Sequence, residues 1–267
     1  MKRFAFAAVL LTALSLNSNL SRALPGEPAE AGAERLAAQV TIRRDTYGVP
    51  HILAKSEEAA AFGFGYAQAE DHCLAIARHL VAARGETAKY LGQGQEGDFL
   101  MKRFDNLEVC KKNFGQLDPL LQRIYNAYAE GVNRYVSKHR NELPEWIPAF
   151  EGVDVLANGR AGAVSSAINP TTMRALRAKY PGVAGPTPQS DSEEASESLI
   201  PETELPGSNA FGLSGSRTAS GKPILLGNPH LNWSSLYWEA QVTVPGKINF
   251  FGSTLAGIPV LRAGFNE

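Results

Sequence analysis

In QVTIRRDTYGVPHILAKS, Val40, Ile42 and Arg44 alternate with polar neighbours. Tyr47-Gly48-Val49-Pro50 supplies a turn, and His51-Ile52-Leu53 resumes the β pattern, so a strand pair is predicted. Ser56-Glu57-Glu58 opens a helix, with a capping serine and acids facing the positive end of the helix dipole. Through AAAFGFGYAQAEDHCLAIARHLVAARG the apolar positions recur at three and four, which predicts one long helix ending at Gly85. Gly63 and Gly65 weaken that helix intrinsically and point to close packing against another element. Leu120 to His139 has the same period, with Ile124, Tyr128, Val132 and Tyr135 on one stripe. Pro144 to Pro148 breaks the pattern, and a weaker helical reading spans Ala157 to Tyr180.

From Pro181 to Gly207 the period disappears. This tract is rich in Pro, Gly, Ser and Glu and poor in apolar residues, too few to offset the entropy of ordering it. It is expected to be a disordered linker. After Ser208 come short apolar runs punctuated by Gly, Pro and Asn: SNAFGLSG, KPILLGN, YWEAQVTVPG, KINFFGSTLAG and PVLRAGFN. They predict a meander of about five β-strands. A sheet with so little to cover it would leave an apolar face open, and the run stops at Asn266-Glu267 in a strand-like stretch. Further chain is therefore expected after residue 267. The fold class is α+β, a helical N-terminal part followed by antiparallel strands.

Of the 267 residues, 44% are hydrophobic, and the formal net charge is −1. A near-neutral chain gives no reason to expect nucleic acid as a partner, and a small-molecule site is the expectation. At the N-terminus, Lys2 and Arg3 precede the apolar run Phe4 to Leu16, and Ser21-Arg22-Ala23 places small residues around a cleavage point. Residues 1–23 read as a secretory signal peptide, too short to span a bilayer comfortably, with no membrane association after its removal. Export implies an oxidising compartment, the periplasm. Cys73 and Cys110 are the only cysteines. One disulfide and two buried free thiols both remain open.

Several chemistries are excluded. Gly212-Leu213-Ser214-Gly215-Ser216 fails the last position of a nucleophile elbow, and neither Ser-x-x-Lys nor a Walker loop occurs. His72 and His79 share a helix face but lack the three- or four-residue spacing of metal pairs. Glu70-Asp71 reads as a solvated charge pair, His51 as structural, and His139 as a helix-ending cation.

The abrupt seam at Gly207-Ser208 offers another chemistry. A serine hydroxyl needs a base beside it. The α-amine of the same residue titrates near pH 8 and serves if the residue is N-terminal. That requires cleavage of the preceding peptide bond, which an exposed tract delivers and Gly207 accommodates through its backbone freedom. A strand starting at Asn209 would hold the new terminus.

Three stretches carry a family likeness. SNAFGLSGSRTASGKPILLGNPHL resembles the start of the catalytic chain in the penicillin acylase family of N-terminal-nucleophile hydrolases. IRRDTYGVPHILAKSEEAAAFGFGYAQAEDH resembles the family's N-terminal region, and YAEGVNRYV is a third match in the family's order. The resemblance implies a partial αββα sandwich. It implies a small chain over residues 24–185, a spacer over 186–207 and the start of the large catalytic chain at 208–267, both chains coming from one precursor. By the same likeness Gly207-Ser208 is the autocleavage site, Ser208 is nucleophile and amine base, and His230 orients that amine. The histidine is similar to the branch that removes fatty acyl chains from homoserine lactones or lipopeptides, while Asn228 departs from the family's common Asp. The implied activity is hydrolysis of an acyl amide such as an N-acyl-homoserine lactone, a lipopeptide or a penicillin. Phe211 and Leu231, with Trp233 and Trp238, are candidates for lining its acyl pocket. The oxyanion donors and most calcium ligands of the family would lie beyond residue 267, so no catalytic cofactor is implied and a structural calcium is an expectation for the full-length protein only. The alternative is an inactive truncated fragment or a non-catalytic periplasmic binding protein of the same fold.

Overall fold

A computed structural model describes residues 29–168, 208–231 and 236–266, together with Lys179. The signal peptide, the whole spacer tract with Gly207, and Trp233 lie outside the described residues. Helix α1 (Ala29–Ala37) leads into the hairpin of β1 (Val40–Arg44) and β2 (Pro50–Ala54). In its turn, Asp45 Oδ1 accepts the Tyr47 and Val49 amides, both at 2.9 Å. Gly48 sits there at φ 83°, a conformation that glycine adopts without steric cost.

Helix α2 (Glu57–Arg84) is the spine of the molecule. Ser56 Oγ accepts the Ala59 amide at its start, and Gly85 closes it at φ 65°. The helix backbone departs from helical angles at His72 (φ −140°, ψ 32°). Its first half is apolar nearly all round, because it lies between the sheet and two further helices, α6 (Pro119–Lys138) and α7 (Gly152–Ala167). The α6 stripe turns inward as its period predicts: Tyr128 and Val132 are fully buried, and Ile124 and Tyr135 pack on the core margin. His139 follows as the C-cap, stacked on Tyr135. Helix α7 begins five residues before the sequence-predicted start at Ala157. A capping box of Glu151 and Asp154 nucleates it there. Three short helices, α3 (Thr87–Leu91), α4 (Gln95–Arg103) and α5 (Asn106–Phe114), link α2 to α6. They are too brief to show a sustained period in the sequence.

The close packing inferred from the helix glycines is present. A Cβ on Gly65 would collide with the backbone carbonyl of Tyr128, and one on Gly131 with that of Phe62. Backbone atoms cannot move aside as a side-chain tip can. Gly65→Ala is therefore expected to destabilise the fold by ~3 kcal/mol, in spite of alanine's better helix propensity. A loss of unfolding free energy under about 0.5 kcal/mol in a urea titration would contradict the close approach.

Strands β5 (Tyr237–Val244), β6 (Ile248–Leu255) and β7 (Ala263–Asn266) form the antiparallel meander that was expected. The first two strands after residue 207 do not join it. β3 (Ser208–Leu213) and β4 (Ile224–Pro229) pair only with each other. The five-stranded sheet is completed from the N-terminal part, in the order β1-β2-β5-β6-β7, with β2 parallel to β5. A single meander is thus corrected to a mixed sheet plus a ribbon. Trp238, Ala240, Val242 and Val244 alternate toward α2, and Trp238 meets Phe64 edge-on at 4.8 Å. Trp238 is core, not pocket lining. The described residues thus hold one helical layer, the sheet and the ribbon; a second helical layer is not among them.

Glu70-Asp71 is not a free solvated pair. Arg44 donates to Glu70 Oε2 at 2.6 Å and to Asp71 Oδ2 at 3.1 Å, and Trp238 Nε1 donates to Asp71 at 2.7 Å. Arg44 directs Nε and Nη2 to Glu70 Oε2 and Nη1 to Asp71, so its guanidinium bridges the two carboxylates with charge-assisted bonds. The cysteines are unpaired and buried in different clusters, Cys73 in the main core and Cys110 beside Ala83, Val153 and Ala157. Burial pushes the Cys73 thiol up to about 11 and raises that of Cys110 too. Both are inert packing residues by that criterion.

Candidate active site

Ser208 is the first residue of β3, opposite Pro229, and Asn209 is opposite Asn228. The ribbon's connection folds on itself. Thr218 Oγ1 donates to the Lys222 carbonyl at 2.7 Å, Ser214 and Ser216 hydroxyls pair at 2.7 Å, and Gly215 packs directly on the Gly221 carbonyl. Every residue of β3 and β4 is exposed. A two-stranded ribbon with Phe211, Leu213 and Leu225 in water has an incomplete core of its own.

Between this ribbon and the sheet face that turns away from α2 lies a cavity of ≈ 520 Å³. Ser208 and Asn228 stand on its ribbon side, and Tyr237, Phe251, Leu255 and Phe265 on its sheet side. Register explains the second group: Tyr237 faces Leu255 and Phe251 faces Phe265, so period-two alternation puts all four on one face. Glu239 and Arg262 add one charge of each sign, and Ser253 Oγ donates to the Tyr237 hydroxyl at 3.1 Å. An apolar wall with few polar groups is the usual composition of a small-molecule site.

Leu231 lines this cavity, as the sequence reading proposed. Phe211 is outside its lining and remains exposed. His230 is brought to the neighbour of Ser208: its Nε2 lies 3.1 Å from Asn209 Nδ2, with the imidazole as acceptor in the tautomer protonated at Nδ1. Pairing Ser208 with Pro229 puts His230 on the opposite face of the ribbon from Ser208, with Asn209 and Asn228. Asn209, which the sequence placed at the start of the strand and second in the SNAFGLSG motif, is the contact that links His230 to the serine's strand.

Among the described residues no group of three His, Cys, Asp or Glu side chains is arranged to hold a metal ion. No described helix is long and apolar enough to cross a membrane. His51 is tied into the sheet by its Nδ1 contact with Gln241 Oε1 at 2.6 Å, and Asp45 lies 3.6 Å from its other nitrogen.

The fold and site define an α+β protein whose candidate chemistry sits on the first strand after a polar tract, over an open sheet face. The Penicillin amidase family model matches residues 39–267, and the chain belongs to that family. It is 32% identical over 272 residues to the acyl-homoserine lactone acylase PvdQ of Pseudomonas putida, covering 90% of this chain and 32% of the relative. The PvdQ of Pseudomonas savastanoi pv. phaseolicola is 28% identical over 265 residues, covering 90% of this chain and 34% of the relative. Aculeacin-A acylase of Actinoplanes utahensis is 26% identical, covering 85% of this chain and 32% of the relative. The chain spans about a third of the length of these relatives. A thermostable penicillin G acylase from Alcaligenes faecalis aligns in structure with a TM-score of 0.45 and 23% identity, over 53% of this chain and 84% of that one.

Proposed function

We propose that this chain supplies the nucleophile of an exported amide hydrolase. Cleavage of Gly207-Ser208 frees the Ser208 amine. The Ser208 hydroxyl then attacks the carbonyl of an acyl amide, forming the Oγ–C bond as its proton passes to the amine. The C–N bond breaks, and the leaving amine carries away that proton. Water next attacks the acyl-enzyme, the same amine taking its proton, and the acid leaves as Oγ is reprotonated. His230 acts through Asn209, fixing the strand end that carries the amine. The observation that carries this reading is Ser208 opening β3 on the rim of an apolar cavity. The family membership supports it, as do relatives named as acylases of acyl-homoserine lactones and of aculeacin A. The substrate class is an amide with an apolar acyl group, and the N-terminal 23 residues direct the protein to the periplasm.

Intact-mass analysis of protein as its cell makes it, acid-quenched with a dodecanoyl anilide, tests this. The expected result is a small chain beginning at Leu24 and a large chain beginning at Ser208 that carries one acyl group. A large chain that stays unmodified while the anilide is untouched over hours would overturn the proposal.

A further inference from the structure

Three helices reach for one turn. Residues 256–262 join β6 to β7; the connection opens with the Ala256–Ile258 turn, where Gly257 sits at φ 89°. The Gly257 amide donates to Gln68 Oε1 at 2.9 Å, and its carbonyl accepts Asn158 Nδ2 at 3.0 Å. Gln68 Nε2 donates on to the Ile258 carbonyl at 3.3 Å. The Tyr128 hydroxyl donates to the same Gln68 oxygen at 2.5 Å. Gln68 stands on α2, Tyr128 on α6 and Asn158 on α7, and the first two are completely buried.

The partners of Gln68 are a backbone N–H, a backbone C=O and a buried hydroxyl, and each would be left unpaired if an apolar side chain took its place. What a satisfied polar network adds is a unique geometry. The geometry here is that of the cavity, because Leu255 at the end of β6, Arg262 at the end of the connection and Ala263 at the start of β7 line the space beside Ser208.

We infer that Gln68 is a positioning residue: by holding the Ala256–Ile258 turn it sets the spacing of β6 and β7 and so the depth of the cavity, which selects the length of the acyl chain. The inference rests on the reading of Ser208 as the nucleophile of an acylase. It extends that reading to a residue more than a hundred positions earlier in the chain.

Gln68→Leu and the milder Asn158→Ala, which removes a single bond at the same turn, test it in protein as its cell makes it. In both, hydrogen exchange at the Gly257 and Ile258 amides is expected to quicken about tenfold or more. KM for a dodecanoyl anilide should rise about tenfold with kcat within about twofold, and KM for an acetyl anilide should stay put. A residue that only stabilises the fold would lower the urea midpoint and leave that KM split unmoved. Should Gln68→Leu fail to fold, Asn158→Ala carries the test. If wild-type protein turns over neither anilide, the acylase reading fails, and dodecanoate binding then decides the inference on its own. A Kd raised about tenfold in either variant supports it, and an unchanged Kd with faster exchange overturns it. Equal changes in KM for both anilides, or no change in a folded variant, also overturn it.

Discussion

Ser208→Ala is expected to leave the chain uncut and to lower amide turnover by a factor on the order of 10⁶, the scale on which serine hydrolases lose kcat without their nucleophile. The two losses share one cause. In the proposed mechanism the hydroxyl that attacks a substrate carbonyl first attacks the carbonyl of Gly207, so alanine would remove both reactions at once. The variant should keep its fold, because Ser208 is exposed at the end of a ribbon whose other side chains are exposed too. Far-ultraviolet circular dichroism and the urea midpoint should therefore match the parent, while mass spectrometry shows a single chain. A Ser208→Ala protein that still divides between residues 207 and 208, or that still hydrolyses a dodecanoyl anilide at a parental rate, would remove Ser208 from the mechanism.

The second large effect concerns stability. Arg84 ends α2 and grips Asp154 in the first turn of α7 through two parallel bonds, Nε to Oδ1 at 2.7 Å and Nη2 to Oδ2 at 2.5 Å. Its Nη2 also donates to the Ala149 carbonyl at 2.9 Å, and the guanidinium lies 5.1 Å from the centre of the Phe150 ring. Burial alone would lower the Arg84 pKa, but the Asp154 carboxylate together with Glu86 and Tyr90 outweighs it, so the pKa is raised and the guanidinium stays charged. Asp154 side-chain exposure is 3% and that of Arg84 is 13%, so neither charge is shared with much water. Asp154→Ala strands a buried cation and uncaps the Glu151 amide, which donates to Asp154 at 2.7 Å. The expected cost is about 3–5 kcal/mol in a urea titration. Replacing both partners, Arg84→Met with Asp154→Leu, should recover much of that loss, because no unpaired charge remains. A single-variant cost under 1 kcal/mol would show the pair to be solvated after all. The pair also anchors α7, which carries Asn158 to the β6–β7 turn, so its loss should loosen that turn as well.

Local rules made much of the N-terminal part legible. The cap at Ser56, the end signal at Gly85, the α6 stripe and the β1–β2 turn all follow from interactions within a few residues, and each stands where the pattern put it. The glycines of α2 even announced a neighbour, since backbone contact with α6 tolerates no Cβ. The site was legible only through its motif. Ser208 and Leu231 do meet at one cavity, but composition could not show that Phe211 would fall outside it or that His230 would lie against Asn209.

The sequence by itself determined the long elements, the β1–β2 hairpin, α2 and α6, with the cap and end signal of α2, and that a serine follows a polar tract at the start of a strand. Periodicity and capping act over a turn or two, so they need no knowledge of the rest of the chain. Only the tertiary structure decided the partners. It set β2 beside β5 across nearly two hundred residues, separated β3 and β4 from the strands that follow, and gathered Arg44, Asp71 and Trp238 into one network. It also aimed Gln68 at a turn far along the chain. Those choices depend on which apolar faces can be buried against each other and which buried polar groups then find partners, a condition on the whole chain that no local pattern records.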